Sequence, residues 1–143
     1  MAGKKTDKVD VQGVLQGAGL RSTRQRLALG ALLFDGMDKH VTAEQVFDMA
    51  RKTKARVSLA TVYNTLHQFT EAGLLRQVVI DFNRIYFDTN TDDHHHFFNE
   101  SEGHLMDIHA ESIHVDKLPK LPSGLRLSRV DVIVRVANKS DAN

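Results

Sequence analysis

Residues 58–88 read SLATVYNTLHQFTEAGLLRQVVIDFNRIYFD. Ser58 is a natural helix N-cap, because its hydroxyl can accept from a first-turn N–H, and Gly73 is a natural stop. Between them Val62, Leu66 and Phe69 repeat at i, i+4 and i+7, which predicts a helix over 59–72 with that stripe in a core. Thr61, Asn64, Thr65 and Gln68 then fall largely on the other faces, where hydroxyls and amides can bond base edges or phosphates. Residues 74–81 and 85–88 read as two strands around a Phe-Asn-Arg turn. A helix feeding a small hairpin predicts a winged helix-turn-helix, with the helix in a major groove and the hairpin on the backbone.

Upstream, Val11, Val14, Leu15 and Ala18 have helical spacing, and Gly17 and Gly19 favour a stop. Ser22 or Thr23 can cap a second helix whose apolar face is marked by Leu27, Ala31 and Phe34. Thr42 can cap a third, with Val46, Met49 and Ala50 inward. The basic run Arg51, Lys52, Lys54, Arg56 leads into Ser58. Arg24, Arg51 and Arg56 are candidates for phosphate contact beside Thr61, Tyr63, Asn64 and Gln68, with Arg76 and Arg84 in the wing. Residues 1–8 read as a loose basic arm.

Downstream, 89–93 is a polar hinge and 94–96 are three consecutive histidines. Residues 94–100 and 103–109 read as strands, 112–115 as a third short one, and 125–137 as a strand with Val130, Val132, Val134 and Val136 on one face. The prolines in LPKLPS (118–123) argue against a long helix there. So small a sheet cannot bury itself well, and an apolar face with an open edge favours a homodimer. The fold class is therefore α+β: a winged-helix DNA-binding domain over 1–88, a hinge at 89–93, and a small α/β, strand-rich dimerisation and ligand-sensing domain over 94–143.

Composition bounds the function. The 143 residues are 41% hydrophobic, enough for a real core. Residues 1–88 carry 13 Lys/Arg against 9 Asp/Glu, a net +4, and 89–143 carry 6 against 9, a net −3. A basic front suits a polyanionic partner. The absence of cysteine excludes disulfides, thiolate zinc sites and thiol redox chemistry. No stretch approaches the roughly 20 apolar residues of a membrane span, and the polar N-terminus has no apolar signal core. The expectation is a cytoplasmic protein without membrane contact. On a strand His94 and His96 point to one face and His95 to the other. Imidazoles with nearby carboxylates make a nitrogen/oxygen site for Fe(II), Mn(II), Zn(II) or Co(II); the bland alternative is a solvated, pH-sensitive patch.

RSTRQRLALGALL (21–33), HVTAEQVFDMA (40–50), VSLATVYNTLHQFTEAGLL (57–75) and DDHHH (92–96) resemble, in order, the ferric uptake regulator family, from about Gly19 to Val136. Within it, the cysteine-poor C-terminal part and the HHH tract look most like the iron response regulators. The resemblance implies a dimeric repressor or activator on AT-rich inverted repeats of double-stranded DNA. It implies Tyr63 at the DNA, with Asn64 where relatives are often basic. It also implies a divalent metal (Fe, Mn or Zn) held by His40, Asp88, His94 and His96. A second site would use Asp93, His95 and His114, with Asp107 a further oxygen near either. Here the sequence departs from the family, with His95 and His114 where acids are usual, and Asn99 and Glu102 where cysteine pairs stand. Haem, if bound, needs a histidine axial ligand: His95 first, then His94 and His96. The resulting expectation is an iron-responsive regulator modulated by haem, metal or both; the alternative is a metal-activated repressor without haem sensing. Two other classes are a metal hydrolase, which lacks an HExxH-type motif, and a metal buffer, which would not explain the reading helix.

Overall fold

The computed structural model describes residues 9–141. The basic arm expected over 1–8 and the last two residues of the polar tail lie outside them. The chain divides into two compact units at Thr91/Asp92, within the 89–93 stretch.

The first unit runs α1 (Val11–Gly17), α2 (Arg24–Leu33), β1 (His40–Val41), α3 (Ala43–Lys52), α4 (Leu59–Glu71), β2 (Arg76–Asp81), β3 (Arg84–Asp88). Each helix starts where a side chain can satisfy an otherwise orphan N–H. Asp10 accepts from Gly13, Thr23 from Arg26, Thr42 from Gln45 and Ser58 from Thr61. At α3 the Gln45 side chain also returns to the Thr42 N–H, closing a capping box. Gly73, at φ 82°, ends α4 in the left-handed region that disfavours other residues.

Leu15, Leu29, Leu33, Val46, Val62, Leu66, Phe69 and Phe87 are fully or almost fully buried together. The rings of Phe34 and Phe69 pack 5.5 Å apart. Gly30 lets α1 approach α2, since a Cβ there would lie 2.6 Å from Val11 Cγ1. The inner face of α2 is Leu29, Gly30 and Leu33, not Leu27, Ala31 and Phe34. Leu27 and Phe34 pack at its margin and Ala31 is exposed. Leu27 to Leu33 is an unbroken run of apolar residues and one glycine, so periodicity there is weak.

The wing is a three-stranded sheet in the order β1-β3-β2. The two-residue β1 was too short to carry a period in the sequence. It pairs with β3 so that His40 faces Asp88. Lys39 and Thr89 extend the pairing, with the Thr89 N–H donating to Lys39 O at 2.8 Å and the Lys39 N–H donating to Thr89 Oγ1 at 2.9 Å. At the hairpin tip the Asn83 N–H donates to Asp81 Oδ1 at 2.9 Å.

The second unit holds β4 (His94–Asn99), β5 (His104–His109), a single 3₁₀ turn (Ala110–Ser112) and β6 (Ile133–Val136). The sheet order is β5-β4-β6, antiparallel on one side of β4 and parallel on the other. Two strand expectations are corrected. No strand forms over 112–115, where the 3₁₀ turn leads away from edge strand β5. The strand expected over 125–137 is only Ile133–Val136. It pairs with β4 from His96 to Asn99, and β4 starts at His94, so residues before 131 have no backbone to pair with. No α-helix occurs among the described residues of this unit, so it is strand-rich rather than α/β.

Candidate DNA-reading face and metal centre

α4 buries Val62, Leu66 and Phe69 as the spacing predicts, and it also buries Thr65. Thr65 lies three residues after Val62 and four before Phe69, inside the apolar stripe, so it is withdrawn from the candidate DNA contacts. Asn64, His67 and Gln68 are exposed, and Thr61 is half-buried. Two neighbouring elements hold this face. On the α3 side, the Tyr63 hydroxyl donates to Glu44 Oε1 at 2.7 Å. That bond, then burial, raises the phenol above its ordinary pKa. On the α2 side, Arg26 Nε and Nη2 both donate to Gln68 Oε1, at 3.2 and 3.1 Å, while Nη1 donates to Arg21 O. Thr23, Gln25 and Arg26 line one groove with Thr61, Asn64 and Gln68, and the adjacent groove joins Arg24 to Lys54 and Arg56.

Glu44 and Arg26 carry no signal in the sequence for this face, and Lys54 shows there only as one member of the basic run before Ser58. They sit on α2, α3 and the turn between α3 and α4, and only packing brings them to α4. Arg76 is corrected. It is 6% exposed, on the face of β2 shared with Val78 and Ile80, and it stands in register with Asp88. Period-two alternation puts its side chain inward, away from a phosphate backbone. Arg24 and Arg56 are accessible.

The histidine tract behaves as a strand. His94, His96 and Phe98 share the buried face of β4. Directly across from His96 stands Asp107 of β5, so its carboxylate is on the same face. Asp107 Oδ1 lies 3.6 Å from His94 Nε2 and 3.4 Å from His96 Nε2. The ligating atoms of His94, His96 and Asp107 all lie within 4.8 Å of one another. His94 Nδ1 is 2.7 Å from Asp92 O. A carbonyl only accepts, so Nδ1 carries the hydrogen and the neutral ring presents a lone pair at Nε2. Two imidazole nitrogens and one carboxylate oxygen, converging and oriented from behind, fit a divalent transition metal.

In the first unit, His40 and Asp88 stand opposite each other in register, and Asp88 Oδ1 accepts the Asn90 N–H at 2.9 Å. The expected second site is not brought together. Asp107 sits with His94 and His96, and His114 is exposed. Among the described residues, Asp93, His95 and His114 form no ligand group with one another. His95 points to the other face, where its Nδ1 accepts the Val132 N–H at 3.1 Å. Its neutral ring therefore carries the hydrogen on Nε2. As bonded here, neither nitrogen of His95 is free to take an axial iron, so the residue fits haem poorly.

The ferric uptake regulator family profile matches residues 17–134. The chain belongs to the ferric uptake regulator family. The peroxide operon regulator of Bacillus subtilis is 32% identical to this Fur-family chain over 115 residues, covering 80% of it and 79% of the relative. The ferric uptake regulator of Pseudomonas aeruginosa, solved with manganese, superposes with a TM-score of 0.71 at 25% identity, covering 91% of this chain and 98% of that one. The ferric uptake regulator of Vibrio cholerae superposes at 0.70 with 20% identity, covering 90% and 100%. The Fur-family chain is thus a DNA-binding transcriptional regulator, with a winged helix-turn-helix followed by a dimerisation domain, and not an enzyme. Among the described residues no helix is long and apolar enough to cross a membrane.

Proposed function

We propose that this protein is an iron-responsive regulator of the cytoplasm that binds AT-rich inverted repeats as a homodimer and is controlled by a divalent metal at His94, His96 and Asp107. The observation that carries the reading is the convergence of two Nε2 atoms on one carboxylate, with the His94 tautomer set by Asp92 O. The metal supplies a positive charge that holds these donors together. The chain's own part is to present neutral imidazoles and ionised carboxylates, pre-oriented by backbone carbonyls and amides. Metal can favour the DNA-binding shape only by binding it more tightly than the other.

The finer reading, an iron response regulator released from DNA by haem, rests on the HHH tract and the lack of cysteine. Its leading ligand, His95, would have to give up the Val132 N–H to bind iron. His94 and His96 would have to leave the metal set. The test is operator binding by the full chain on an AT-rich inverted repeat, titrated in parallel with Mn(II) and with haem. Binding supported by Mn(II) and indifferent to stoichiometric haem is the expected result. Binding abolished by haem with little response to Mn(II) would replace the metal reading with the haem-responsive one. No DNA binding at all would refute both.

A further inference from the structure

The two contacts that pin α4 also fix the hydrogen-bonding sign of its edges. We infer that Arg26 and Glu44 are specificity-positioning residues: Arg26 makes Gln68 a donor-only group, and Glu44 makes Tyr63 an acceptor-only group. The inference rests on the DNA-reading role of α4 proposed above.

Gln68 Oε1 accepts from two Arg26 nitrogens, and a carbonyl oxygen has two lone pairs, so it is saturated. Arg26 has no acceptor, so the amide cannot flip without losing both bonds. What Gln68 presents outward is its NH₂. A glutamine reads adenine by accepting from N6 and donating to N7 together. That bidentate contact is closed to Gln68, and only acceptors remain for it: guanine, which offers both O6 and N7, or singly thymine O4 or adenine N7. Tyr63 has the opposite sign. Its one proton goes to Glu44 at 2.7 Å, so its oxygen offers lone pairs only. In the major groove its partners are the amino groups of adenine or cytosine. A phosphate, which only accepts, is excluded there, and the neighbouring carboxylate reinforces the exclusion. Asn64, between these edges and exposed, is free of either constraint.

The test is selection from duplexes randomised across one half-site, using the full chain with Mn(II). Wild type is compared with Gln68→Ala, Arg26→Leu, the Arg26→Leu/Gln68→Ala double variant and Glu44→Gln. Gln68→Ala alters an exposed side chain and locates the base pair it reads, where a preference for guanine, the base with two acceptors, should flatten. Arg26→Leu should move that same position toward adenine by roughly tenfold, and the double variant should abolish the move. Glu44→Gln should relax selection for adenine or cytosine under Tyr63. A merely structural role for Arg26 and Glu44 would lower affinity evenly across all sequences, and profiles that superimpose on wild type after scaling would overturn the inference. If Gln68→Ala already leaves every position unchanged, the donor assignment is wrong whatever Arg26→Leu does. A wild type that selects no sequence would overturn the functional reading as well.

Discussion

Replacing Asp107 with Asn separates a metal centre from a histidine patch. The substitution keeps size and shape and removes the charge that His94 and His96 converge on at 3.6 and 3.4 Å. A ligand that binds only the folded protein stabilises it by RT ln(1 + [L]/Kd), about 2.7 kcal/mol at a hundredfold excess over Kd. For a chain of this size that is a rise in Tm of about 8 °C. Losing even an outer-shell partner of a metal site lowers affinity roughly 10- to 100-fold, and a direct ligand should cost no less. At the same Mn(II) concentration the stabilisation of Asp107→Asn should then fall to about 1.4 kcal/mol or below, a Tm rise of about 4 °C or less. The assay is calorimetric or fluorimetric melting with and without Mn(II), with affinity measured by titration calorimetry. His114→Ala, at an exposed position outside the cluster, is the control and should retain the whole shift. An Asp107→Asn protein that keeps the wild-type shift, or a His114→Ala protein that loses it, would refute the assignment.

Other consequences are simpler to read. Ser58→Ala removes the cap of α4 and should destabilise the protein by about 1 kcal/mol, measured by urea melting, with a matching loss of operator affinity. Arg56→Ala and Arg24→Ala should each lower the slope of log affinity against log salt by about one, as expected of a lost phosphate contact, whereas Arg76→Ala should act on stability. His95→Ala leaves the Val132 N–H without its acceptor and should cost about 1–3 kcal/mol, visible as faster hydrogen exchange at Val132 with Mn(II) binding intact. Asp35 titrates below the ordinary carboxylate range, chiefly through its hydrogen bond with Lys39. Its contribution is present above the ordinary range and is lost as pH falls through the lowered value, so Lys39→Met should flatten the acid limb of a stability–pH curve.

Sequence and structure agree where one physical cause dominates. The capping serines and threonines, the i, i+4, i+7 stripe of α4 and the alternation of His94, His95 and His96 depend on local geometry alone, and each is found in the folded chain. Errors arise where a residue's neighbour comes from elsewhere. The alternation of Val130 to Val136 is a true strand signal, but a strand lasts only as long as its partner, and β4 supplies one only for Ile133–Val136. Thr65 and Arg76 were read as polar and therefore outward, yet backbone period, not polarity, decides where their side chains point.

The sequence by itself determined the winged-helix order, the bounds and buried stripe of α4 and the pair of histidines on one strand face, because caps, helical period and strand period are properties of neighbouring residues. Tertiary structure decided that Asp107, a possible oxygen for either site, joins His94 and His96, because cross-strand register is set by pairing that no single strand encodes. It also decided that Arg26 and Glu44 hold the two edges of α4. Those contacts link residues 42 and 19 apart in the chain, and only the packing of α2 and α3 against α4 brings them within hydrogen-bond reach.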